Sequence, residues 1–262
     1  MKTAVEIYKL LPKTNCGTCG MPNCFGFAVK VASGMASITS CANLTDTTKA
    51  ALAAELDEPH ASRGTVWEQA LASLQPKIQA LDFTKVSILF GADLVAPDTL
   101  ELSFLNDRYR VTKEKIVDEQ GNAPAPFISI LMYNHLCSPN PPSVSGEWIT
   151  FSSVPASHAK DKAWAGHVEE IIAKHFSGNV EGLRKACEKL GGTKAEIKGS
   201  HDTAYEFRFF PKYPALLLFY DEVPDEDFPA QCKLLLDQTV DRYLDIESIV
   251  VLGEEFAGRI TA

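Results

Sequence analysis

No stretch of the chain approaches the roughly 20 consecutive apolar residues that a bilayer-crossing helix needs, so no membrane span is expected. The opening MKTAVEIYKLL has no uninterrupted apolar core and no small-residue cleavage site. This argues against a secretory leader and predicts a cytoplasmic protein whose thiols stay reduced. Internal repeats and low-complexity tracts are absent, as are Gly-rich phosphate loops, Ser-bearing elbows and His-Glu zinc helices. With them go the familiar signatures of nucleotide, hydrolase and metalloprotease sites. Positive charge is also short, with 25 Lys and Arg against 34 Asp and Glu. The whole deficit lies beyond residue 58, because residues 1–58 hold five Lys and five acids. An acidic body repels phosphate backbones, so nucleic acid is not an expected partner. The rest of the composition, 45% hydrophobic and 23% charged, is that of a soluble globular chain.

Cysteine is present in an unusual distribution. An odd count of seven in 262 residues argues against a disulfide framework. Cys137, Cys187 and Cys232 are scattered singly, whereas four cysteines fall in the first 41 residues. In LLPKTNCGTCGMPNCFGFAVKVASG, Cys16, Cys19 and Cys24 are separated by gaps of two and four residues, and Cys41 follows after a gap of sixteen. Four thiolates with this close spacing suit a [4Fe-4S] cluster, which one loop can wrap on three corners while a fourth ligand returns after a helix. Gly17 and Gly20 would let backbone N–H groups turn toward sulfur, and Cys24 at a helix N-terminus would set a partial positive charge beside a net-negative cluster. Lys2, Lys9, Lys13 and Lys30, opposed in residues 1–45 by Glu6 alone, act in the same direction. Spacing by itself leaves two rivals. Structural zinc also takes four cysteines, although usually as two separated Cys-x2-Cys pairs. The other rival is a set of free, structural thiols.

The string LPKTNCGTCGMPNCFGFAVKVASG with its later Cys resembles the small four-iron cluster domain at the N-terminus of the corrinoid iron–sulfur protein large subunit. A similar module occurs in the B subunit of Rnf-type complexes. The resemblance covers about residues 1–45 and implies a [4Fe-4S] cluster on Cys16, Cys19, Cys24 and Cys41. Where that family often has Pro after the fourth cysteine this chain has Ala42, a departure that loosens the closing loop but removes no ligand. The Asp-x-His-x-x-Gly string that ligates cobalt in corrinoid domains is absent. Downstream, SGEWITFSSVPASHAKDKAW, LGG and the segment from FPKYPALLLFYDEVPDEDF to YLDIESI resemble a family known as domain of unknown function 3786, which brings no activity with it.

The expected architecture is α+β: a small helical iron–sulfur domain over 1–58 and a larger mixed α+β domain over 65–262, with DEPHASRG (57–64) as the linker. Helices are expected over 3–11, from Asn23–Cys24 with Phe25, Ala28, Val29, Ala32 and Met35 as its apolar stripe, from Asp46 to Leu56, and from Val66 to Leu81 with a kink or stop at Pro76. Further helices are expected at PFISILMYNHLC, 160–176 and 179–190. TLELSFLNDRYRVT and GEWITF read as strand, and AYEFRFF, PKYP and ALLLFY as a hairpin with Tyr205, Phe207 and Phe209 in the core.

Other candidate sites in the second domain have blander readings. The acids Asp221, Glu222, Asp225, Glu226 and Asp227 suit a cation but equally a solvated turn, with Asp227 capping a helix that carries Pro229. His167 and His175 fall two turns apart on one helix. Cys187 and Cys232 read as core, and Cys137 beside His135 suggests a nucleophile pair only by adjacency. No catalytic constellation is visible, so an electron carrier is expected rather than a stand-alone enzyme. Its partner would be a redox protein, and by resemblance a corrinoid protein or methyltransferase of an anaerobe. The alternative is a non-redox adaptor or regulator with a structural or sensing cluster, or zinc.

Overall fold

The computed structural model describes residues 4–19, 21, 23–32, 36–45, 47–49, 52–53 and 58–262, with residues 58–68 described by their backbone alone. The chain divides into two compact units, Met1–Ala70 and Leu71–Ala262. The fold is α+β, with helices in the first unit and helices plus two antiparallel sheets in the second.

In the first unit, α1 (Ala4–Leu10) buries Ile7 and ends ahead of Pro12, which has no N–H to continue it. Helix α2 (Cys24–Ala32) starts where Asn23 Oδ1 accepts the Gly26 N–H at 2.7 Å, an N-cap bond. Its buried stripe is Cys24, Phe27, Ala28 and Val31, whereas Phe25 and Val29 are exposed. The expected stripe was therefore one step out of phase. Cys24 is itself the first inward residue, and counting i, i+3, i+4 and i+7 from it gives the observed set. Met35 lies outside the described residues. A short 3-10 turn, Ile38–Ser40, leads to Cys41, and Ile7, Leu11, Phe27, Ala28, Val31, Ile38 and Leu52 close a small core around Cys24 and Cys41. Of the helix expected from Asp46 to Leu56, residues 47–49 and 52–53 are helical and the others lie outside the described residues.

Helix α3 (Glu58–Ala80) begins inside the stretch expected as a linker. Pro59 falls in its first turn, where a missing N–H costs no helical bond. It also runs through Pro76, and its C-terminal carbonyls are taken up by Lys113, whose Nζ donates to Ile78 O at 3.1 Å and to Leu81 O while lying 4.2 Å from the centre of the Phe83 ring.

In the second unit, α4 (Phe83–Phe90) is capped by Asp82 and leads into an antiparallel meander, β1 (Asp93–Ala96), β2 (Thr99–Phe104), β3 (Asp107–Thr112) and β4 (Ile116–Asp118). Leu100, Leu102 and Phe104 alternate into the core as the period of two requires. Helix α5 (Pro126–Leu136) is buried on most of its surface. A five-stranded sheet has the order β5-β9-β8-β7-β6, from β5 (Trp148–Ile149), β6 (Thr193–Lys194), β7 (Thr203–Phe210), β8 (Tyr213–Tyr220) and β9 (Gln231–Asp237). The β7–β8 hairpin buries Tyr205, Phe207 and Phe209. The helix expected after Asp227 is strand β9 instead. Cys232, Leu234 and Leu236 alternate inward and pair with β8, and Asp227 sits at positive φ in the preceding turn. Helix α6 (161–176) contains a π turn at Ala165–Glu169, α7 (Val180–Lys189) ends on Gly191 at φ 78°, and α8 (Ile246–Ile260) is capped by Asp245.

One buried carboxylate ties the loop before β5 to the end of β9. Asp237 accepts from the N–H groups of Ser145 (3.2 Å), Gly146 (2.7 Å) and Thr239 (2.9 Å), and from the hydroxyls of Ser145 (3.0 Å) and Thr239 (2.6 Å). Burial pushes its pKa up, but the bonds from Thr239, Ser145 and Gly146 outweigh that and hold it below the ordinary value. Asp237→Ala leaves these donors without a partner and is expected to cost about 3 kcal/mol, read as a lowered urea midpoint. A midpoint within error of the parent would contradict this.

Candidate cluster site

The loop from Pro12 to Thr18 is exposed, and its backbone takes positive φ at alternate residues: Lys13 (60°), Asn15 (48°) and Gly17 (74°). Asn tolerates this region better than most side chains. At Gly17 the space for a Cβ is open, so the φ and not crowding calls for glycine. The twisting loop lets Asn15 reach forward nine residues. Its Oδ1 accepts the Cys24 N–H at 2.8 Å and its own N–H donates to Cys24 Sγ at 3.3 Å. One residue thus satisfies an orphan donor at the start of α2 and orients the thiol there.

Several side chains converge on Cys16. The Thr18 hydroxyl donates to its Sγ at 3.2 Å, and Asn43 Nδ2 donates to the same sulfur at 3.0 Å and to Thr14 Oγ1 at 3.1 Å. The Thr18 side chain foremost, with further bonds from the Thr18 backbone and Thr14, brings the Cys16 thiol down to about 7. Groups that bond to sulfur among the described residues thus include Asn15, Thr18, Asn43 and Thr14. Glycine N–H groups were expected in that role, and Gly20 lies outside the described residues. Cys24 and Cys41 are buried, Cys19 is half-buried and Cys16 is exposed. All four line a single narrow cleft, together with Thr14, Met21, Phe27 and Ala42.

These residues fit an iron–sulfur cluster. The set is all thiol, the cleft is walled by apolar groups, and hydrogen-bond donors point at sulfurs that would carry negative charge. Among the described residues no three His, Cys, Asp or Glu side chains are gathered as a single-ion site requires. In a four-iron cluster each thiolate binds a different iron, so the four sulfurs need not meet at one point.

The other candidates resolve into structural roles. Cys187 and Cys232 are buried and burial raises both thiols, Cys187 to about 12, which leaves them inert. His135 and Cys137 stand two residues apart at the end of α5 and do not share a face. Asp221 Oδ1 accepts the N–H groups of Gly178 (2.8 Å) and Glu222 (2.9 Å), and Glu222 accepts the Ser177 hydroxyl at 2.5 Å, so the acidic run builds its own turn. His167 pairs with Glu254 at 2.6 Å, whereas His175 lies exposed against Phe176.

Residues 11–42 match the family described as "Putative Fe-S cluster". The N-terminal region is 51% identical over 57 residues to the corrinoid/iron-sulfur protein large subunit of Moorella thermoacetica, covering 22% of this chain and 13% of that protein. It is 54% identical over 39 residues to the gamma subunit of the acetyl-CoA decarbonylase/synthase complex of Methanocaldococcus jannaschii, covering 15% of this chain and 8% of that one. It is 56% identical over 36 residues to the B component of the ion-translocating oxidoreductase complex of Rhodobacter capsulatus, covering 14% and 19% respectively. The chain therefore spans only a small part of the curated relatives it matches. No solved structure matches it. The family match and the likeness to these relatives support an iron–sulfur protein. Residues 82–259 match the domain of unknown function DUF3786, and the chain belongs to that family. No helix among the described residues is long and apolar enough to cross a membrane.

Proposed function

We propose that Cys16, Cys19, Cys24 and Cys41 hold one [4Fe-4S] cluster and that the protein passes single electrons between protein partners. The observation that carries this reading is the shared cleft: four thiols line it, and one of them, Cys16, is exposed at its edge. When bound, the cluster supplies a centre that accepts and releases one electron without a proton. The chain's own residues hold it, aim donors at its sulfurs and keep Cys24 and Cys41 dry.

The domains are proposed as 1–58, which carries the cluster, and 65–262, which docks the partner. The names of the corrinoid and acetyl-CoA decarbonylase/synthase relatives support a corrinoid methyl-transfer protein, in the cytoplasm of an anaerobe, as the first partner to test. Redox titration of protein purified without oxygen tests the core of this reading. Reversible one-electron cycling at a fixed potential is expected, and loss of the cluster on reduction would overturn it.

One observation favours a second reading. Cys24 and Cys41 belong to the hydrophobic core of the first unit, as they would if the cluster were a structural clasp in an adaptor or regulator. The same titration separates the two.

Exposed Lys9 and Lys13 are proposed to steer an acidic partner, with Lys13 Nζ 5.4 Å from the centre of the Tyr8 ring and exposed Phe25 against that ring at 5.5 Å. Changing both lysines to Glu is expected to slow association roughly tenfold at low ionic strength and to flatten its salt dependence, in stopped-flow mixing with a reduced acidic ferredoxin. Unchanged rates would leave these lysines without a steering role.

A further inference from the structure

Within the proposed cluster reading, we propose that Asn43 and Thr18 set the reduction potential by acting on the Cys16 corner alone. Cys16 is the exposed thiol of the four, and among the described residues its sulfur accepts from Asn43 Nδ2 at 3.0 Å and from the Thr18 hydroxyl at 3.2 Å. Cys24 takes one bond from the Asn15 backbone at 3.3 Å. A donor aimed at a ligand sulfur draws charge from it, which favours the reduced, more negative state and raises the potential. Asn43 is held for this task, since its Nδ2 also donates to Thr14 Oγ1 at 3.1 Å and so stays beside the sulfur. It stands two residues after Cys41, and its contact to Cys16 spans 27 residues, so the closing ligand brings the donor with it. The corner open to a partner is then the corner whose electron affinity the protein adjusts.

The test uses the full chain purified without oxygen, with iron content, spin-resonance spectrum and midpoint potential measured on each variant. Asn43→Leu and Thr18→Val are each expected to move the potential to more negative values, and together further than either alone. Thr18→Ser keeps the hydroxyl and is expected to retain the parent potential. Thr14→Val removes the other partner of Asn43 together with a further bond at the Cys16 thiol, and is expected to move the potential in the same negative direction. A parent potential in Thr18→Val at full iron content would overturn the proposal, as would equal shifts in Thr18→Val and Thr18→Ser. If the parent protein itself carries no four-iron cluster, its iron content and spectrum say so before any variant is compared, and the cluster reading falls instead.

Discussion

Cys24→Ala and Cys41→Ala each empty the site, with bound iron falling by about tenfold or more, whereas Cys137→Ser leaves iron content at the parent level. The first two thiols are buried in the small core of the first unit beside Phe27 and Ile38. Their loss removes a ligand and leaves a gap in the small core they share with Phe27, Ile38 and Leu52. Cys137 ends α5 in the second unit and is not among the residues that line the cleft, and burial raises its thiol. Iron assay of protein purified without oxygen reads all three variants. Retained iron in both alanine variants would remove Cys24 and Cys41 from the ligand set.

The second large effect concerns acid. His135 is fully buried among Phe90, Phe210, Tyr213 and Tyr243, with its ring stacked 4.1 Å from Phe210, and neither ring nitrogen has a hydrogen-bond partner among the described residues. Burial disfavours the imidazolium and brings the pKa down to about 3. The unfolded chain titrates near the ordinary value of about 6.5. Between these two values the unfolded state binds a proton that the folded state refuses, so stability falls as pH drops below about 6.5 and levels off near the folded value. Each pH unit in that window costs about 1.4 kcal/mol, or roughly 3 kcal/mol between pH 6.5 and 4.5. His135→Phe keeps the stacking and removes the titration. Carboxylates such as Asp237 lose stability over an overlapping range, so the quantity to measure is the difference between parent and His135→Phe. In urea unfolding at several pH values that difference is expected to widen steadily below pH 6.5. Parallel curves would show that the ring finds a partner when charged.

Short-range pattern made several elements legible. Alternation gave the β7–β8 hairpin, and paired glycines marked the end of α7, because in each case the deciding contacts are local. The phase of α2 is hidden in the sequence because Cys24 serves both as a candidate ligand and as the first core residue of the buried stripe. In β9, CKLLL carries leucine on both faces, so the apolar run hides its period of two. The cysteine spacing pointed to the cleft residues, but the side chains that serve them did not stand out. Asn15 reaches Cys24 across nine residues and Asn43 reaches Cys16 across 27, and neither partner is implied by the spacing of the cysteines. For Asn43 the available signal was a polar amide two residues after the last cysteine of the cluster string.

Counting iron, acid-labile sulfide and zinc in the full chain, purified without oxygen, tests the central claim most directly. About four iron and four sulfide per chain, with zinc negligible, is the result predicted. About one zinc per chain with no sulfide would contradict it.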